Sequence, residues 1–201
     1  MASLSPAYRP GDIIISDGTI SHCALVIGEK VKYMPGRFRT DWAMLHATGF
    51  GSEHPRDGIK KGELVNMGRG RLFRSRTMTD PQAEAVQATA LRLQLASSSY
   101  GTARAVFAWA GSTSFGTGAF GRLQKYKERL SHTEHQGVVK NVFCSEFVIL
   151  CYQLAFMDDA QKTKQTNPLF INLDAKHSYP KHLREYLRKN SSHWEEDDFP
   201  P

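Results

Sequence analysis

The chain has 201 residues, of which 40% are hydrophobic and 10% aromatic, and it carries 26 Lys and Arg against 20 Asp and Glu for a formal net charge of +6. That length suits one domain spanning residues 1–201, and that hydrophobic content excludes a disordered chain. The basic excess brings anionic partners into view, but the clusters at Lys60–Lys61, Arg69–Arg76 and Lys181–Lys189 are dispersed, and such runs are usually solvated surface.

Taken in chain order, Gly11–Gly28 reads GDIIISDGTISHCALVIG. Two β-branched-rich runs, Ile13–Ile15 and Cys23–Ile27, flank a turn at Asp17–Gly18 and predict a hairpin. Further strands are expected at Ala43–Ala47 and Gly62–Met67, with residues 50–61 and the Gly-containing basic run RGRLFRSR as loops. Asp80-Pro81 then opens QAEAVQATALRLQLA, where a capping residue and a proline precede a run of helix formers and predict a helix over about 81–96.

A second helix is expected at about 101–110, then a mobile Gly/Ser/Thr-rich stretch at 111–121 and a polar, basic segment at 122–137 that reads as a short surface helix; together 111–137 is insertion-like. Val138–Phe143 is a short β-like run, and the stripe Phe147, Leu150, Cys151, Leu154 behind it is helical. The tail has a loop at Asn167–Pro168, a short strand, a turn at Tyr179-Pro180 and a basic helix over Lys181–Lys189, and residues 191–201 are expected to fray.

No zinc-finger, RNA-binding or phosphate-loop spacing points to nucleic acid. The first residues lack the basic-then-apolar pattern of a secretory signal, and no run approaches the roughly 20 apolar residues of a membrane helix. A protein made in the cytoplasm is expected, with any export by a signal-independent secretion system. Cys23, Cys144 and Cys151 lack the spacing of a disulfide framework, and no Cys-x-x-Cys pair supports a metal; no cofactor is expected.

A thiol is a useful nucleophile at neutral pH when its thiolate is favoured, and an imidazole and the positive end of a helix are the common devices. Cys144 stands where a helix begins, with backbone N–H groups to hold an oxyanion. His22 opens an apolar strand and suits the role of base. His46, in MLHATG, would orient it from the neighbouring strand. Each residue also has a structural explanation, since a histidine in a half-buried strand and a cysteine on a buried helix are commonly packing residues. Cys23 and Cys151 are read that way.

GDIIISDGTISHCALVIG, MLHATGFG and VFCSEFVILCYQLAF, in that order, resemble the circularly permuted branch of the NlpC-type, papain-like cysteine peptidases and amidases, which includes lecithin-retinol-acyltransferase-like enzymes. The resemblance covers about 10–50 and 80–156. It implies an α+β fold with an antiparallel sheet packed on helices, the nucleophile at a helix N-terminus, and a Cys144–His22–His46 triad. It also suggests Tyr100 and Ser145 as substrate or oxyanion contacts, Asp12 as a tie of the opening turn and Glu146 as a helix-start residue.

The activity implied by this resemblance is amide or peptide hydrolysis through an acyl-enzyme. Bacterial peptidoglycan stems are the leading substrate, and an injected antibacterial effector with a secretion or immunity partner protein is the leading setting. The alternatives are lipid acyl transfer or thioester hydrolysis, a toxin that deamidates or cleaves a protein, and a binding module that has kept only the fold.

Overall fold

The computed structural model describes residues 8–18, 21–34, 37–47, 58–96, 111–131, 142–157 and 167–199, with residues 29–41 and 65 described through their backbone alone. Six strands form one antiparallel sheet: β1 (Ile13–Ser16), β2 (Cys23–Met34), β3 (Arg37–Ala47), β4 (Ile59–Glu63), β5 (Gly70–Ser75) and β6 (Trp194–Phe199), in the order β4-β3-β2-β1-β5-β6. Among the described residues four α-helices accompany it: α1 (Asp80–Ala96), α2 (Thr117–Ser131), α3 (Cys144–Ala155) and α4 (Pro180–Lys189). The architecture is therefore α+β.

The central strands are apolar without alternation because the sheet is covered on both faces. Ile13, Ile15, Cys23, Leu25, Ala43 and Leu45 belong to a large cluster with Phe147, Val148 and Leu150 of α3. Ile14, Ala24, Val26, Met44, Leu72 and Phe199 form a smaller one. Every residue of α3 from Cys144 to Gln153 is buried, as expected of a helix that is apolar on all sides. It is the element around which the sheet and the other helices pack.

β2 is longer than its apolar run. Its register with β3 shifts between Val26 and Gly28, and Gly28 takes φ +132°, a conformation that side chains rarely adopt. Gln87 of α1 donates to the carbonyl of Ile27 beside this irregularity and fixes the helix against it.

Several expectations need correction. The fourth strand lies at Ile59–Glu63 rather than at Gly62–Met67, and Leu64–Met67 is a turn of 3-10 helix. The run RGRLFRSR is not a loop: it contains β5, with Leu72 and Phe73 buried. The tail does not fray before Phe199, because β6 pairs with β5 from Ser75↔Trp194 to Gly70↔Phe199.

Each of the two runs is dominated by charge, and the charges are complementary. Arg71 pairs with Asp198 and lies 3.7 Å from Glu196, and Arg76 lies 3.6 Å from Glu195. Opposite charges facing one another across strands support an edge that neither sequence alone would favour. Arg74 turns inward instead, donating through Nε to Asp12 Oδ1 at 3.0 Å and through Nη2 to Oδ2 at 2.6 Å. Asp12 also accepts from the Arg9 N–H at 2.9 Å, which ties the opening turn as expected.

Likewise, residues 117–131 form one helix rather than a mobile stretch followed by a short one; Ala119, Phe120, Leu123 and Leu130 are its buried residues. In place of a strand after Asn167 there is an isolated bridge between Leu173 and Ser114. α1 and α4 fall where expected, with Pro180 in the first turn of α4. The helix expected at 101–110, Tyr100 and most of the run 138–143 lie outside the described residues.

Trp194 is 2% exposed and packs 5.4 Å from the Tyr152 ring, so the C-terminal strand contributes to the core and not only to the edge. Trp194→Ala is expected to lower the unfolding free energy by about 3–5 kcal/mol, measured by urea denaturation against the wild type.

Candidate active site

α3 begins at Cys144, and the preceding Phe143 has extended backbone and no side-chain cap. The first bond of the helix runs from the Phe147 N–H to the Phe143 carbonyl at 2.9 Å. The N–H groups of Cys144, Ser145 and Glu146 thus have no acceptor within the helix, and they present partial positive charge beside the sulfur. Cys144 itself is only 5% exposed.

His22 lies immediately before β2 and is held by Ser16 through two bonds. The His22 N–H donates to Ser16 Oγ at 3.0 Å, and the Ser16 N–H donates to the His22 carbonyl at 2.9 Å. His46 sits on β3, between the buried Leu45 and Ala47 and paired with Lys60 of β4. Because β2 and β3 are neighbours, His22 Nε2 comes within 2.7 Å of His46 Nδ1, with the rings nearly perpendicular at 83°. The structure therefore brings Cys144, His22 and His46 together: the sulfur is in hydrogen-bonding contact with the imidazole of His22 and with the thiol of Cys23.

The electrostatics assign different states to these groups. Burial, the neighbouring His22 and the charge of Lys60 hold the pKa of His46 down at about 4, so at neutral pH its ring is uncharged. Its Nδ1 can then accept from Nε2–H of His22, which leaves Nδ1 of His22 for the sulfur. Room for the His46 ring comes from Gly62 on β4, where a Cβ would stand 3.2 Å from its Nε2.

The Cys144 thiol is held well below its ordinary range by hydrogen bonds from Cys23 and His22 and by the charge of His22, which together outweigh its burial. Cys23 moves the other way, pushed well up by burial and by its contact with Cys144. Burial likewise keeps Cys151 a thiol.

Cys23 is expected from the sequence to be a small packing residue, and the structure sets its thiol against Cys144 instead. Its position next to His22, at the head of a strand, was the available signal. Ser145 needs correction as a contact for substrate: its hydroxyl is fully buried and donates to the Ser178 carbonyl at 2.7 Å, so it fastens the start of α3 to the segment before α4. Only its backbone N–H remains suited to an oxyanion. Glu146 lies in the first turn, as expected, and accepts from Tyr126 of α2 at 3.4 Å. Tyr100 lies outside the described residues.

Among the described residues no group of three His, Cys, Asp or Glu side chains could hold a metal ion, and no helix is long and apolar enough to cross a membrane. No family model matches the chain, and neither the curated proteins nor the solved structures contain a match to it.

Iodoacetamide at pH 6.5 is expected to modify Cys144 in preference to Cys23 and Cys151, read from the masses of tryptic peptides. A second expectation concerns stability. Because His46 has a lower pKa folded than its ordinary 6.5, the unfolded chain binds the extra proton between pH 6.5 and about 4. Its contribution is present above pH 6.5 and is lost as the pH falls toward 4. Urea denaturation at pH 7 and pH 4.5 should show the stability difference between wild type and His46→Gln shifting toward the variant at the lower pH.

Proposed function

We propose that the chain is a cysteine hydrolase that cleaves amide or peptide bonds through an acyl-enzyme on Cys144. The observation that carries this reading is a sulfur at an uncapped helix start, in contact with an imidazole whose far nitrogen lies 2.7 Å from a second, uncharged imidazole. Such an arrangement supplies a nucleophile, a base and an orienting group in one place.

In the reaction, the Cys144 proton resides on His22 and the thiolate adds to the carbonyl carbon. The tetrahedral oxyanion is held by first-turn N–H groups of α3. His22 then gives its proton to the leaving nitrogen as the C–N bond breaks, releasing an amine and leaving a thioester. Water, deprotonated by His22, attacks the thioester, and collapse returns the thiol and a carboxylic acid. His46 accepts from His22 throughout and stabilises the imidazolium.

The resemblance to the permuted NlpC-type enzymes supports bacterial peptidoglycan stem peptides as the substrate and an exported antibacterial effector as the setting. With purified peptidoglycan, mass spectrometry should find new free amines after wild-type treatment and none after Cys144→Ala. His22→Ala is expected to lower the rate by about 10²–10⁴-fold, and His46→Ala by less. An acyl-lipid extract run alongside should leave Cys144 unmodified; a lasting thioester from lipid with no amine released from peptidoglycan would replace peptide hydrolysis by acyl transfer.

A further inference from the structure

One short stretch of chain, Ser178–Arg184, touches both halves of the site. At one end the Ser178 carbonyl accepts the Ser145 hydroxyl at 2.7 Å, and the Tyr179 ring lies 6.4 Å from Phe143, the residue before the nucleophile. At the other end Arg184 reaches the connection that delivers His22. Its Nη2 lies 2.6 Å from Asp17 Oδ1 and donates to the Ser16 carbonyl at 3.3 Å. Ser16 is the residue that holds the His22 backbone through two hydrogen bonds.

The stretch is well anchored. α4 starts at Pro180, the Tyr179 N–H donates to His182 Nδ1 at 3.2 Å, and Leu183 and Leu187 are buried in the main core. The Arg184 side chain is 22% exposed and that of Asp17 42%, so the ion pair is open to solvent on the Asp17 side, while the bond to the buried Ser16 is the sheltered one.

We propose that Arg184 is a positioning residue for the Cys144–His22 pair, clamping Ser16 and Asp17 to the same helix that Ser178 ties to the start of α3. This rests on reading Cys144 and His22 as the reacting groups. Sulfur and imidazole come from distant parts of the chain, and their hydrogen bond tolerates displacement of only about 0.5 Å. Both contacts run through one guanidinium nitrogen, Nη2, which a carboxylate and a carbonyl share, so a lysine at the same place keeps the charge and part of that contact but with a shorter, differently directed donor. Among the described residues the other ionisable groups facing the pair are Cys23 from β2 and His46 from β3, with Lys60 of β4 beside His46; the charge of Arg184 also reaches Cys23.

The test is the pH dependence of Cys144 alkylation by iodoacetamide on the full chain, read from tryptic peptides, with thermal unfolding followed in parallel. Wild type, His22→Ala, Arg184→Met and Arg184→Lys are compared. His22→Ala should raise the alkylation midpoint, and Arg184→Met should raise it by about one pH unit, a tenfold slower reaction on the acid side. Arg184→Lys should recover at least half of that shift.

A wild-type midpoint that His22→Ala leaves in place removes the catalytic reading itself. A midpoint that moves in His22→Ala but not in folded Arg184→Met overturns the role of Arg184 alone, and so does an Arg184→Lys midpoint as displaced as that of Arg184→Met. If Arg184→Met does not fold, Asp17→Asn loosens the same clamp from its more exposed partner: a smaller rise supports the proposal, and an unchanged midpoint overturns it.

Discussion

The hydrogen bond between His22 and His46 is the contact around which the proposed site is arranged, because it limits what each imidazole can do. Two histidines side by side cannot both be protonated cheaply in a partly buried place, and here burial and Lys60 decide against His46. An uncharged His46 can only accept with its Nδ1 if its proton sits on the far nitrogen, and that choice commits Nε2 of His22 as the donor. The nitrogen left over on His22 is the one available to sulfur.

The sulfur is prepared from three directions. The uncapped first turn of α3 offers its N–H groups, His22 offers an imidazole, and Cys23 offers a thiol from the head of β2. None of these requires a mobile part. Each is fixed to an element of the core: α3 is buried along most of its length, β2 is a central strand, and the connection before His22 is held by Ser16. Under the proposed mechanism, preorganisation of this kind would place donors before charge develops.

The charge of the chain reads differently once its partners are seen. Arg71 and Arg76 face the acidic strand β6, and Arg74 is spent on the buried Asp12. The densest basic run is thus a structural seam between two strands. Its pairing with the acidic tail closes the sheet on one side and brings Trp194 and Phe199 into the interior.

By itself the sequence determined the apolar strands Ile13–Ile15, Cys23–Ile27 and Ala43–Ala47, the helix behind Asp80, the helix behind Pro180, and the cysteine at the head of α3, because each carries a local signal: β-branched runs, a capping residue, a proline at a helix start, a helical stripe. His22 and His46 stood out as polar residues in apolar strands. Tertiary structure alone decided the rest. β5 and β6 exist because opposite charges meet between segments far apart in the chain, an interaction that no local pattern displays. Cys23 gains a role only by facing Cys144, Ser145 loses one by binding Ser178, and Arg184 matters only because α4 lies against the connection before His22. Contacts of that kind depend on which elements become neighbours, and that is fixed by packing of the whole core rather than by any window of sequence.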